Sequence, residues 1–184
     1  MTHDAKLGKG LGTGMFYHAP AGTALPESPL ASLGAQWTHV GDVSQDGISL
    51  NPNMSATDFK NWANRIVRSV LTESSAEIPV PVIDTTEESL KTVVGAENVT
   101  VVAATSAHGK LVKANLSLDA LPEEEAYLFL MKDGDDAIAI GCTHGQIKSI
   151  DAVAFQPNNL ITWTPTITAL GDGWQMIVDD GQTA

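Results

Sequence analysis

The sequence predicts a mainly β fold, a β-sandwich or open barrel with one flanking α-helix, a long N-terminal arm and a long inter-strand loop. Three features predict it. After residue 98 the apolar residues recur with the period of two that half-buried strands require. A single segment near residue 85 carries both helix-start and helix-stop signals. The first 35 or so residues sustain neither period and are punctuated by Gly8, Gly10, Gly12, Gly14, Pro20, Pro26 and Pro29.

In chain order, residues 1–35 read as a flexible arm and residues 36–184 as a single β domain with a long loop at about 51–75. An arm without apolar periodicity cannot bury itself, so it is expected to be mobile or to be ordered by neighbours. The loop is polar and holds Asn51-Pro52-Asn53, yet it also contains Phe59, Trp62, Ile66, Val67 and Val70. Aromatic groups on a polar segment suggest a partner. The spacings of three and four between Phe59, Trp62, Ile66 and Val70 leave a short amphipathic helix open as the other reading.

Thr85-Thr86-Glu87-Glu88 fits a capping box, with Thr85 as the cap and Glu88 reaching back. The acids also suit the positive end of a helix dipole. Leu90, Val93 and Val94 then form an apolar face, and Gly95 supplies the stop. The rest reads as strands. Residues 98–105 are β-branched, and 110–118 places Val112, Ala114, Leu116 and Leu118 opposite Lys113, Asn115 and Ser117. Strands at 126–132 and 137–141 flank the turn Asp133-Gly134-Asp135-Asp136. Strands at 146–155, 160–169 and 174–178 complete the set, and such a sheet has edges that invite pairing with other chains.

At 184 residues and 43% hydrophobic content the chain supports one ordinary core. It has no cationic start followed by an apolar run, and no apolar stretch near the ~18–20 residues of a membrane span. Neither secretion nor membrane insertion is therefore expected, and synthesis in a cytoplasm is. The single Cys142 excludes an intrachain disulfide and a multi-cysteine metal site. The net charge is −12, and it is uneven: the first 70 residues hold five bases and five acids, the remainder five and 17. Such a field repels phosphate and disfavours a protein that grips nucleic acid. Solubility explains it; so does a surface past which DNA slides.

No catalytic constellation survives inspection. The glycine-rich start completes neither G-x-G-x-x-G nor G-x-x-x-x-G-K-[ST]. Cys142 and His144 share a strand face but lack an orienting third group. His18, His39 and His108 have no ligand spacing, and Asp133-Gly134-Asp135-Asp136 lacks the distal glutamate of a calcium loop. The run Glu123-Glu124-Glu125 after Pro122 reads as a solvated loop, since glycosidase carboxylates sit on different elements across a cleft. Trp37, Trp62, Trp163 and Trp174 are too dispersed to propose a sugar platform. No cofactor and no metal is expected.

The arm contains Gly14-Met15-Phe16-Tyr17-His18-Ala19-Pro20-Ala21-Gly22-Thr23-Ala24-Leu25-Pro26, followed by Trp37-Thr38-His39-Val40-Gly41-Asp42-Val43-Ser44-Gln45-Asp46-Gly47-Ile48. Asp58-Phe59-Lys60-Asn61-Trp62 and Val67-Arg68 come next. In this order the motifs resemble the major tail tube proteins of long-tailed (siphovirus) bacteriophages, particularly those infecting Gram-positive hosts. The resemblance is strongest over residues 14–95 and is one of pattern beyond; residues 1–9 match nothing. It implies a structural virion protein, not an enzyme, that self-assembles into hexameric, stacked rings whose strands join in one barrel around a channel for DNA ejection.

Under that resemblance the arm and the 51–75 loop become inter-ring connectors. The partners implied are further copies of the chain, a tape-measure protein and tail-tip and terminator proteins, with DNA passing through the lumen without specific binding. The location implied is the virion tail, after assembly in the host cytoplasm. Phe16, Tyr17, Leu25, Phe59 and Trp62 are the self-assembly candidates, because aromatic and large apolar groups on polar segments are the usual interface anchors. Two alternatives stay open: a tube subunit of a contractile tail or secretion system, and a monomeric β-sandwich module binding carbohydrate or a host surface.

Overall fold

The computed structural model describes residues 6–10, 15–117 and 119–181. Gly12, Gly14 and Leu118, used in the readings above, lie outside the described residues. The first strands are β1 (Phe16–Pro20) and β2 (Thr38–Gly41), followed by two long ones, β3 (Asn51–Lys60) and β4 (Ile66–Pro79). Helix α1 (Glu87–Val94) comes next, then the short strands β5 (Val99–Val102) and β6 (Leu111–Ala114). Strands β7 (Glu125–Asp133), β8 (Asp136–Ile150), β9 (Pro165–Ala169) and β10 (Gln175–Asp179) complete the fold. The class is mainly β with antiparallel sheets and one flanking helix, as the alternation implied.

The main sheet runs β2-β1-β7-β8-β9-β4-β3, and β10 also pairs with β8. β5 and β6 form a separate two-stranded sheet. The two strands expected at 137–141 and 146–155 are one, β8, whose first half pairs with β10 and whose second half pairs with β9. A register shift opposite β7, between Glu125 and Tyr127, falls where this change of partner occurs. Such an irregularity bends a strand without ending it. β7 and β8 are joined by the expected turn, with Asp133 opposite Asp136 and Gly134 at φ 65° supplying the left-handed position. The strand expected over 160–169 is shorter, because 160–164 form only an isolated bridge from Trp163 to Val82.

Both faces of β7 are covered, which is why residues 126–131 are a continuous apolar run instead of an alternating one. On one face Phe16, Tyr127 and Phe129 meet Ile78, Val80, Val82, Val93, Val94, Trp163 and Ile167 beneath α1. The Phe16 and Phe129 rings stack at 4.9 Å between centroids. On the other face Ala126, Leu128, Leu130 and Ala139 are covered by Leu25, Leu33 and Trp37 from the segment between β1 and β2. The described parts of residues 1–35 are thus not detached from the body. β1 is an interior strand, paired with β2 on one side and β7 on the other. Before it, Lys6 Nζ donates to Asp136 Oδ2 at 2.6 Å, and Lys132 N donates to the Lys9 carbonyl at 2.7 Å. The apolar period was missed because a five-residue strand shows too few alternations to register.

The helix starts one residue later than the sequence suggested. Thr86 is the cap: its Oγ1 accepts from Ser89 N at 3.2 Å, and Ser89 Oγ accepts from Thr86 N at 2.8 Å. Thr85 is otherwise engaged, since its Oγ1 accepts from Trp163 Nε1 at 3.1 Å. Freed from the cap, Glu88 and its neighbour Glu87 pair with Lys91, and Glu87 also reaches Lys110 beside β6. Gly95 ends the helix at φ 90°.

Two tests follow from this packing. A Cβ on Gly141 would lie 2.7 Å from Leu25 Cδ2 and 2.9 Å from the Tyr127 carbonyl oxygen. The side chain can rotate but the backbone cannot, so Gly141→Ala is expected to cost about 1–3 kcal/mol in urea unfolding. Hydrogen bonds from Lys110, then Lys91, hold the Glu87 carboxyl well below its ordinary value of 4.5, at about 2. A carboxylate lowered on folding stabilises above its ordinary pKa, and that contribution disappears as pH falls through the folded value. A carbon-detected NMR titration is expected to place the Glu87 midpoint near 2, and Lys110→Met to move it upward.

Candidate assembly interface

The 51–75 segment is not a loop but a β-hairpin, and it leaves the body of the protein. β3 and β4 pair in register from Asn51 opposite Glu77 to Lys60 opposite Ile66, with shifts at Ser55/Ala56 and Phe59/Lys60. Ten rungs at about 3.3 Å make a ribbon of roughly 30 Å. Only its root is held. Glu77, Ile78 and Pro79 pair with β9, Ile78 is fully buried, and the Ala76 carbonyl accepts from Trp174 Nε1 at 2.9 Å. Beyond the root β3 pairs with β4 alone and is exposed throughout.

The helical reading of Phe59, Trp62, Ile66 and Val70 fails because these residues straddle the hairpin turn. Register places Met54, Ala56 and Leu71 on the side that continues the core face of Ile78, and Phe59 and Val70 on the reverse side. Met54, Phe59, Ile66, Val67 and Leu71 are each more than half exposed. The tip is organised: Asn61 Oδ1 accepts from Ala63 N at 3.0 Å and Arg65 N at 3.1 Å, and Asn64 adopts φ 59°. This turn presents Trp62 wholly to solvent, at 108% relative exposure. A two-stranded ribbon with apolar groups on both faces is marginal in water by itself, so such a ribbon calls for a covering surface.

The hairpin is also where the positive charge gathers. Residues 59–68 hold Lys60, Arg65 and Arg68, three of the chain's ten basic residues, and none of its 22 acids. Among the described residues no carboxylate forms an ion pair with any of the three. The acids of the hairpin, Asp58, Glu73 and Glu77, stand nearer its root.

The five sequence candidates therefore separate into two groups. Phe59 and Trp62 lie exposed on the ribbon. Phe16 is fully buried in the core of its own subunit, and Tyr17 and Leu25 pack on the opposite face of the same sheet. Tyr17 meets the His39 ring edge-on at 5.4 Å. The reason is register: β1 offers one face to each of the two core layers. The sequence reading missed the ribbon's regular pairing because its alternation lacks a buried face, which is the signal that usually reveals a strand.

Several cavities open on the body. One of about 700 Å³ lies between the turn after β2 and the segment leading into β9, lined by Asp46, Ile83, Ala152, Ala154, Leu160 and Thr162 among others. A second of about 500 Å³ is walled by His18 and Glu123, Glu124 and Glu125. There His18 Nδ1 lies 3.0 Å from Glu125 Oε1, and His144 Nδ1 lies 3.6 Å from Glu124 Oε2. Cys142 is buried and its thiol is pushed up to about 12 by that burial, while His144 is half exposed; the two make no nucleophilic pair. Among the described residues no group of three or more His, Cys, Asp or Glu could hold a metal ion. No helix among them is long and apolar enough to cross a membrane.

The described residues thus form an antiparallel β body from which a paired two-stranded ribbon projects. The phage tail tube protein family model matches residues 10–178, and the chain belongs to that family, whose members are structural tail components of virions, not enzymes. Among solved structures, the chain is similar to the tube terminating cap of the anti-feeding prophage, determined by cryo-electron microscopy. The two share 10% identity over 96% of this chain and 97% of the other, with a TM-score of 0.48. No curated protein sequence matches.

Burial makes opposite forecasts for two of the aromatic residues. Phe16→Ala is expected to destabilise the subunit by about 3–5 kcal/mol in chemical unfolding, the cost of emptying a packed core site. Trp62→Ala is expected to shift the same transition by no more than about 0.5 kcal/mol, because the indole touches nothing in its own subunit.

Proposed function

We propose that this chain is the self-assembling major tube subunit of a long-tailed, siphovirus-type phage. Copies form hexameric rings, closed assemblies in which every repeated contact is satisfied, and the rings stack into the conduit for DNA ejection. The observation that carries the reading is the β3–β4 ribbon, rooted in the sheet, exposed on both faces and tipped by an unsupported Trp62. Such a ribbon gains stability only by pairing with, or packing on, another chain. Membership of the tail tube family supports a further copy as that other chain.

The net charge of −12 supports passage of DNA without adhesion, because acidic walls do not release counterions from phosphate. Phe59 and Trp62 act as contacts between copies. Phe16, Tyr17 and Leu25 act as the scaffold that holds the body rigid behind them. A tape-measure protein and tail-tip and terminator proteins set where the stack begins and ends, and the product resides in the virion tail after assembly in the host cytoplasm.

Negative-stain electron microscopy over a wide concentration series tests this, comparing the full chain with a variant in which residues 53–75 are replaced by a two-residue turn. The full chain is expected to form hollow tubes, and the variant to stay folded by circular dichroism yet form none. Normal tubes from the variant would remove the ribbon from assembly. A full chain that stays monomeric at millimolar concentration would transfer the argument to a monomeric binding module.

A further inference from the structure

We infer that the 700 Å³ cavity between the turn after β2 and the segment leading into β9 binds a neutral carbohydrate of one or two sugar rings. This ligand site lies on the body of the subunit and does not depend on the tube reading. Three observations carry it.

The first is how the recess is built, by alternation around core residues. Trp163 is buried in the main core, so its neighbours Thr162 and Thr164 turn to the other side and line the cavity. Val153 packs on the same core, which leaves Ala152 and Ala154 on the cavity side, and Ile83 follows the fully buried Val82 in the same way. The two alanines leave the room. Backbone pairing fixes the floor: Val82 N donates to the Trp163 carbonyl and Trp163 N to the Val82 carbonyl, both at 2.8 Å, and Val43 bridges to Val82 as well. Ser44 N donates to the Pro81 carbonyl at 2.8 Å, and Asp151 N to the Thr164 carbonyl at 3.0 Å. Walls held in this way need little ordering when a ligand enters.

The second is the set of hydrogen-bonding groups. Asp46 accepts, the amides of Gln45 and Asn159 donate and accept, and Ser44, Thr162 and Thr164 carry hydroxyls. Most of this capacity is unspent within the subunit. Among the described residues the side chains of Gln45 and Thr164 form no hydrogen bond, Thr162 Oγ1 reaches the Leu160 carbonyl only at 3.4 Å, and Asp46 Oδ2 meets Ser44 Oγ only at 3.4 Å. Asn159 engages only Nδ2, which donates to Gln156 Oε1 at 3.0 Å. Ile83 and Leu160 add apolar surface, with Leu160 itself 70% exposed. A sugar ring carries the matching pair of features, hydroxyls at its edge and C–H groups on its face.

The third is charge and size, which set aside the other ligand classes. No lysine, arginine or histidine lines the cavity, so a phosphate or other anion finds no counter-charge there and meets Asp46. A single lining carboxylate does not make the oxygen cage of a divalent cation. A wholly apolar ligand would leave the hydroxyls and amides without partners, at a cost in desolvation. The volume falls within the ~300–1,000 Å³ of pockets that enclose small organic molecules. A neutral, polyhydroxylated ring remains.

Saturation-transfer difference NMR tests the site, with maltose and N,N′-diacetylchitobiose as probes and the full chain at micromolar concentration. Transfer to the ring protons of at least one probe is expected. It is expected to vanish in Ala154→Leu, which fills the recess, and the affinity to fall about tenfold in Asp46→Ala, which removes a charged acceptor. Glu124→Ala, in the glutamate-walled recess, is expected to leave the signal unchanged, and circular dichroism checks that each variant is folded. Absence of transfer from the wild type to either sugar overturns the site, as does transfer undiminished in both Ala154→Leu and Asp46→Ala. Displacement of the sugar by inorganic phosphate would overturn the neutral ligand class. None of these results bears on tube formation, which the microscope reads separately.

Discussion

The structure depends on the backbone pairing of β8. This strand is hydrogen-bonded to β7 along one edge, and to β10 and then β9 along the other, so every later element takes its position from it. The change of partner is possible because glycine stands at 141 and 145, where side chains would collide with Tyr127, Leu25 or Cys142. Close approach there lets the ring of Tyr127 and the side chain of Leu25 pack directly on the backbone. A core on each face of β7 results, with aromatic stacking on one side and the β1–β2 connection folded over the other.

The ribbon is the consequence at the far end of the same ladder. β9 holds only three residues of β4, and past them the chain continues as paired strand without any body beneath it. Its backbone groups satisfy each other, so it keeps its shape, yet its apolar side chains have no layer to cover them. The stable body and the unfinished ribbon are therefore two parts of one sheet. The body supplies a base, and the ribbon carries apolar area and, at its tip, Lys60, Arg65 and Arg68 away from it.

Legibility in the sequence followed burial. The runs at 126–132 and 174–178 announced β7 and β10, and Asp133-Gly134-Asp135-Asp136 announced the turn between β7 and β8, because local pattern and tertiary environment agree there. The helix was legible to within one residue; Thr85 and Thr86 are equivalent as caps until Trp163 claims the first of them. β1 was not legible, since five residues with a proline at the end resemble a tether unless the two strands beside it are known. Of the interface candidates, Phe59 and Trp62 are exposed and Phe16 is not, although all three look alike in a polar neighbourhood.

By itself the sequence determined the class of the protein: its alternation pointed to a β fold, its single helix signal placed the flank, its acid excess disfavoured a grip on nucleic acid, and its motif order carried the family resemblance and with it the expectation of assembly over catalysis. Those properties are local or compositional, so they need no knowledge of contacts. Only the tertiary structure decided which segments are finished by their own subunit and which are not. Whether an aromatic residue faces a core or empty solvent depends on strands more than 100 residues away in the chain, as with Phe16 against Phe129. Long-range pairing settles that, and no pattern within a short window contains it.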